Sequence, residues 1–252
     1  MPVELRTLVN TANSWLMPKP INDYCPNGLQ VEGRDQVRRI VSGVTASQAL
    51  LDAAVAAGAD VVLVHHGYFW KSEAAAITGM KKRRLQTLLQ NDISLLAYHL
   101  PLDLHEELGN NVQLARQLDF KISPVEDSAE GGLIRVGELP REMSGDELAA
   151  HLAQRLGREP QHIAAGPARI RKVAWCTGAA QGYLERVLGL GVDAYISGEI
   201  SEPTVHVARE NNIHYFGAGH HATERYGVQA LGQRLADTFN LEHEFIDIDN
   251  PV

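Results

Sequence analysis

Along this chain, short apolar runs alternate with amphipathic stretches of helix length, the pattern of an α/β protein. RRIVSGVT (38–45) reads as a strand. SQALLDAAVAAGA (47–59) reads as a helix, with Ser47 at its N-cap and Gly58 near its end. DVVLVHH (60–66) is apolar at consecutive positions, as expected of a strand buried on both faces. GMKKRRLQTLLQND (79–92) then predicts a helix, ISLLAYH (93–99) a strand and GNNVQLARQLD (109–119) a helix. KISPVEDSAEGG (121–132) breaks the alternation with Pro, Ser, Gly and acids, and reads as a junction.

The alternation then restarts. GLIRVGEL (132–139) predicts a strand and SGDELAAHLAQRLG (144–157) a helix, with Ser144 and Glu147 spaced as a capping box. RKVAWCT (171–177), DAYISGE (193–199) and IHYFGAG (213–219) predict strands; AQGYLERVLGLGV (180–192), TVHVAREN (204–211) and a segment from the last of those strands to about 239 predict helices. LEHEFIDID (241–249) closes as a strand. Shifting the chain by 133 residues lays 40–66 over 173–199, with identities at Ala46/Ala179, Gln48/Gln181, Leu51/Leu184, Gly58/Gly191 and Asp60/Asp193. His66 then corresponds to Glu199. The expectation is therefore two similar α/β halves produced by internal duplication, mainly three-layer α/β/α, at 1–125 and 126–252, with a metal site between them. The closing strand is free to pack back on the first half.

Composition narrows the class without naming a chemistry. Apolar residues make up 44% of 252, enough for a substantial core. No apolar run reaches the roughly 18–20 residues of a membrane helix, and MPVELRTLVNTANSWL lacks the basic and apolar regions of a secretory leader. Two cysteines, Cys25 and Cys176, are too few for a disulfide framework and fit a reducing cytoplasm. A net charge of −8, with KKRR (81–84) the longest basic run, disfavours general nucleic-acid binding.

Candidate chemistry gathers after three of the apolar strands. His65 and His66 follow VVLV; His99 and Asp103 follow ISLLAY; His220, His221 and Glu224 follow IHYFGAG. In α/β sheets, ligands bind beyond the carboxyl ends of the strands, and five of the eleven histidines lie in these loops. Imidazoles with carboxylates and no thiolate suit Zn, Fe, Mn or related ions. His220 and Glu224 share a helix face at i, i+4, and a glutamate can bridge two ions. Gly67 and Gly219 permit close backbone approach. Spacing alone leaves His220 and His221 as alternatives. DYCPNGLQVEG (23–33) carries a Pro-Asn-Gly turn signal and reads as a loop before a strand or as a wall of the site. Tyr68, Phe69 and Trp70 read as packing residues or as rings able to stack on a nucleobase.

YCPNGLQVEG, GVTAS, VHHGYFW, HLPLD and GHHATE, in that order, resemble the GTP cyclohydrolase I type 2 family, also called the NGG-interacting-factor-three family of dinuclear metal proteins, and most closely its bacterial YbgI-like branch. The resemblance implies a duplicated α/β fold, a toroidal homohexamer and two divalent ions per subunit. It implies His65, His66, Asp103, His220 and Glu224 as metal ligands, with Glu224 shared by both ions. It thereby selects His220 over His221, and leaves His99 in a supporting or proton-transfer role. The function it implies is metal-dependent hydrolysis of a nucleotide or related heterocycle. The alternative is a non-enzymatic ring scaffold, stabilised by metal, for protein partners or nucleic acid.

Overall fold

Val61, Val62, Leu63 and Val64 are all buried, and they alternate between two apolar clusters. That is the signature of a strand with helices on both of its faces. The computed structural model describes residues 1–18, 21–124 and 129–252. These divide into a first unit, 1–108 with 227–249, and a second, 109–226 with 250–252.

The first unit holds a five-stranded sheet in the order Glu242–Phe245, Arg39–Thr45, Val61–His66, Ser94–Ala97, Gly28–Val31. The first four strands run parallel and the last antiparallel. On one face, Val61 and Leu63 pack with Leu5 and Leu8 of the helix Leu5–Leu16 and with Val228, Leu231 and Leu235. On the other, Val62 and Val64 pack with Leu50 and Leu51 of Gln48–Ala56 and with Leu85 and Leu88 of Gly79–Gln90. Ser47 caps its helix as expected, its hydroxyl accepting from the Leu50 N–H.

The second unit holds a six-stranded sheet, Lys121–Ile122, Arg135–Met143, Ile170–Cys176, Ala194–Ser197, His214–Gly217, Gln161–Ile163. The third to fifth strands are parallel and the rest antiparallel. Val173, Trp175, Ile196 and Phe216 pack with Leu114, Leu148, Leu152 and Leu156; Ala174, Tyr195 and Tyr215 pack on the other face with Leu184, Val187 and Ala208. Each unit is thus three-layered and of mixed α/β class. The capping box on Gly145–Leu156 forms, with Ser144 and Glu147 exchanging both bonds.

The 133-residue shift also carries strand register. Ile40 pairs with Val61 and Gly43 with Val64; Val173 pairs with Ala194 and Cys176 with Ser197. In the first unit, Asp60 Oδ2 accepts from the N–H groups of Arg38 and Arg39. In the second, Asp193 Oδ2 accepts from those of Arg171 and Lys172.

One predicted helix departs from the sequence expectation, and the chain divides between the two units as follows. The boundary expected after residue 125 falls within 125–128, outside the described residues. By contacts the units divide after Leu108, because Leu114 and Ala115 of the helix Asn110–Gln117 are buried in the second unit's core. Residues 227–249 belong to the first unit, where Leu231 and Leu235 join the core, and the closing strand Glu242–Phe245 packs back on Arg39–Thr45, as the sequence reading allowed. The helix expected over 180–192 breaks into a 3-10 turn at Gln181–Tyr183, a short helix at Leu184–Val187 and another 3-10 turn at Leu188–Leu190. Gly182, Gly189 and Gly191 weaken it, and Gly191 takes φ +62°. Among the described residues, no helix is long and apolar enough to cross a membrane.

Candidate metal centre

In the first unit, three neighbouring parallel strands end at Thr45, His66 and Ala97; His65 and His66 are the last two residues of the second, and His99 and Asp103 follow the third. His65 is fully buried. Its Nδ1 lies 2.8 Å from the Tyr98 carbonyl oxygen. A carbonyl only accepts, so Nδ1 carries the proton and Nε2 keeps its lone pair. That Nε2 lies 3.6 Å from Asp103 Oδ1. Asp103 is 7% exposed, on the short helix Leu100–Leu104 whose first turn contains Pro101. His66 has Nδ1 at 3.1 Å from the Thr45 hydroxyl. Ring nitrogens of His65, His66 and His99 lie within 4.8 Å of one another, a group able to hold a metal ion. Gly67 is required there, because a Cβ would collide with Gln30 Oε1 and with the Ala97 side chain.

The 23–28 loop encloses His99. Asp23 Oδ1 bonds His99 Nδ1 at 2.7 Å and accepts from the Tyr24 N–H, while its Oδ2 accepts from Asn27 Nδ2 and the Leu100 N–H. Asn27 Oδ1 accepts from the His99 N–H. Burial works against the Asp23 charge, but the bonds from His99 and Asn27, the charge of His99 and the Tyr24 N–H outweigh it and hold the carboxyl at about 2. Cys25 joins Asp23 and His99 in a second possible ligand group. Burial first, and the Asp23 charge second, push its thiol up to about 12. With Asp23 committed to four hydrogen bonds, that group reads as support for His99.

In the second unit, His220 opens the helix His220–Phe239. Its Nδ1 lies 2.7 Å from Glu199 Oε1, and its Nε2 lies 3.1 Å from Glu224 Oε2. Glu224 is 3% exposed. Burial opposes the His220 charge, but Glu224 and then Glu199 overcome it and raise the imidazole to about 9. Gly178, at φ +69°, leaves room for the carboxylate, since a Cβ there would collide with Glu224 Oε1. The Thr223 hydroxyl accepts from the Gly178 N–H and donates to the His220 carbonyl, fixing the turn.

The structure therefore brings His65, His66 and His99 together, sets Asp103 beside His65, and pairs His220 with Glu224. His221 is buried, and its N–H donates to the Val252 oxygen. His105 accepts from the N–H groups of Glu107 and Leu108 and serves a turn. Two residues escaped the sequence reading. Asp23 lies inside the stretch singled out for its turn, but only the fold shows it reaching residue 99. Glu199 aligns with His66 in the repeat, and that alignment is the available signal.

Residues 3–251 match the family model described as Duf34/NIF3 (NGG1p interacting factor 3). The chain is 62% identical over 253 residues to a GTP cyclohydrolase 1 type 2 homolog of Pseudomonas aeruginosa, covering 100% of each chain. It is 51% identical over 250 residues to the Escherichia coli K12 protein of the same description, covering 99% of this chain and 98% of that one. Among solved structures, a protein described as ybgI, of unknown function, superposes with TM-score 0.96 at 50% identity, covering 99% and 100%. TTHA1606 from Thermus thermophilus superposes with TM-score 0.90 at 33% identity, over the same shares.

Proposed function

The chain belongs to the Duf34/NIF3 family, and from that premise we propose a hydrolase-type protein working with two divalent ions on a nucleotide or related heterocycle. His65, His66, Asp103, His220 and Glu224 would hold the ions, with Glu224 shared. One observation carries this reading. His65, His66, His99 and His220 each have Nδ1 engaged by a neighbouring oxygen, from Tyr98, Thr45, Asp23 and Glu199 respectively. Each is thereby oriented to offer Nε2. Such anchoring of the far ring nitrogen is what metal-binding histidines require: the Tyr98 carbonyl and the Asp23 and Glu199 carboxylates accept from Nδ1–H and so direct the ring, while the Thr45 hydroxyl, able to donate or accept, fixes the ring direction of His66. The donor set is imidazole and carboxylate without thiolate, which fits Zn, Fe or Mn.

Divalent ions held by these residues would supply Lewis-acid polarisation of a substrate oxygen. The chain's own groups do the rest. Asp23 keeps a proton on His99 Nδ1, leaving Nε2 able to accept a proton beside His65 and His66. The relatives' description as GTP cyclohydrolase 1 type 2 homologs makes GTP the first substrate to assay. The same reading takes the two units as copies of one βαβ ancestor, which their shared registers support, and the assembly as a toroidal homohexamer, to be checked by sedimentation.

The test is hydrolysis of GTP and other nucleotides by protein loaded separately with Mn, Zn or Fe. Activity should require the metal and fall at least about a hundredfold in Asp103→Ala. Activity that survives chelation or the substitution would assign the hydrolysis to something else.

A further inference from the structure

The three aromatic residues after the paired histidines are placed differently. Tyr68 is buried, and its hydroxyl donates to the Ala46 carbonyl at 2.8 Å. Phe69 packs against the same core cluster, with Lys81 Nζ 5.0 Å from its ring centre. Trp70 stands beside the histidines instead. Its ring lies 4.9 Å from that of His99, edge to face at 79°, and 6.0 Å from that of His66. From the other loop, Tyr24 brings its ring to 6.3 Å from His99 at 62°. Tyr24 is 62% exposed.

The backbone is strained to achieve this. Phe69 has φ +64°, a region that a bulky aromatic residue adopts only when its surroundings impose it. Glu73 Oε2 accepts from the N–H groups of Phe69 at 2.6 Å and Trp70 at 3.2 Å. The Trp70 indole N–H donates to the Gly67 carbonyl, and the Lys71 N–H donates to the Tyr24 carbonyl at 2.8 Å. The reversal at Phe69 sends one ring into the core and the next toward His99, and the Lys71 bond ties the Tyr24 loop to the Trp70 loop. Packing alone is served by Tyr68 and Phe69; it accounts for neither the placement of Trp70 nor the exposure of Tyr24.

The geometry points to Trp70 and Tyr24 as a ring-recognition subsite, whose ligand is a flat heteroaromatic ring of the purine type stacked on the indole beside His99. Aromatic faces bind bases of any sequence by stacking, and the imidazoles alongside favour a ring carrying polar atoms over a purely apolar one. This inference names a substrate class for the site proposed above and rests on that reading.

The test compares GMP with ribose 5-phosphate, which has the sugar and phosphate but no base, by titration calorimetry on the full-length metal-loaded protein. The parent should bind GMP at least about tenfold more tightly. Trp70→Ala and Trp70→Leu should both abolish that preference, while ribose 5-phosphate affinity and metal content by elemental analysis stay unchanged. Trp70→Phe should restore most of it, and Tyr24→Ala should weaken it. A parent without preference for GMP, or a Trp70→Leu variant that keeps the preference, overturns the subsite. Repeating the titration after chelation separates the two readings. A preference that persists without metal and still depends on Trp70 leaves the subsite standing, whereas metal content unchanged in His66→Ala defeats the metal reading alone.

Discussion

Asp23 uses both carboxylate oxygens to fix the 23–28 loop and the backbone and ring at 99–100. Its folded value of about 2 lies below the ordinary 3.8. A carboxyl depressed in the folded state stabilises the fold fully above its unfolded value, and that contribution is lost as pH falls through the folded value. Asp23→Asn should therefore cost about 2 kcal/mol at neutral pH. In urea titrations the gap from the parent should hold down to about pH 4 and close toward pH 2. A gap of constant size across that range would show that the charge of Asp23 contributes nothing. At this scale the ligand candidates were legible, because histidines and carboxylates after apolar strands stand out against polar surroundings. Their anchors were not. Asp23 and Glu199 act on His99 and His220 across 76 and 21 residues, and only the folded chain brings those partners together.

Elements were legible where local pattern and burial agree. The strand Val61–His66, the capped helices after Ser47 and Ser144, and the long helix from His220 all follow from runs, periodicity and caps. Gln161–Ile163 was not foreseen, because it is a strand only by pairing with His214–Gly217 at the sheet edge. The matched aspartates connect the two levels. Asp60 binds two backbone N–H groups and Arg34, and is buried; Asp193 binds the equivalent two N–H groups from a less buried position. Asp60→Ala should cost about 2–3 kcal/mol, because those donors and the guanidinium lose their acceptor together. Asp193→Ala should cost about 1 kcal/mol, since water can replace part of what is lost. Equal costs in chemical denaturation would mean that burial does not set the difference between the two turns.

For the whole molecule, the proposed ligands lie at 65, 66 and 103 and again at 220 and 224, far apart in sequence. An unfolded chain holds them at no fixed spacing, so two ions held between these five residues would bind the native state almost alone and stabilise it by mass action. At a free metal concentration about a hundred times Kd, the gain is about 2.7 kcal/mol, which for a chain of this size moves Tm by roughly 5–10 °C. Chelation of the metal-loaded parent should therefore lower Tm by that amount. Glu224→Ala, lacking the shared ligand, should begin near the chelated value, lose most of its metal by elemental analysis and respond little to chelator. His221→Ala should retain metal and keep the chelator response, whereas His220→Ala should lose both. If Glu224→Ala retained both ions and the full thermal response, the shared-ligand assignment would fail. If His220→Ala and His221→Ala lost metal equally, the choice between the adjacent histidines would fail while a metal site on these loops remained.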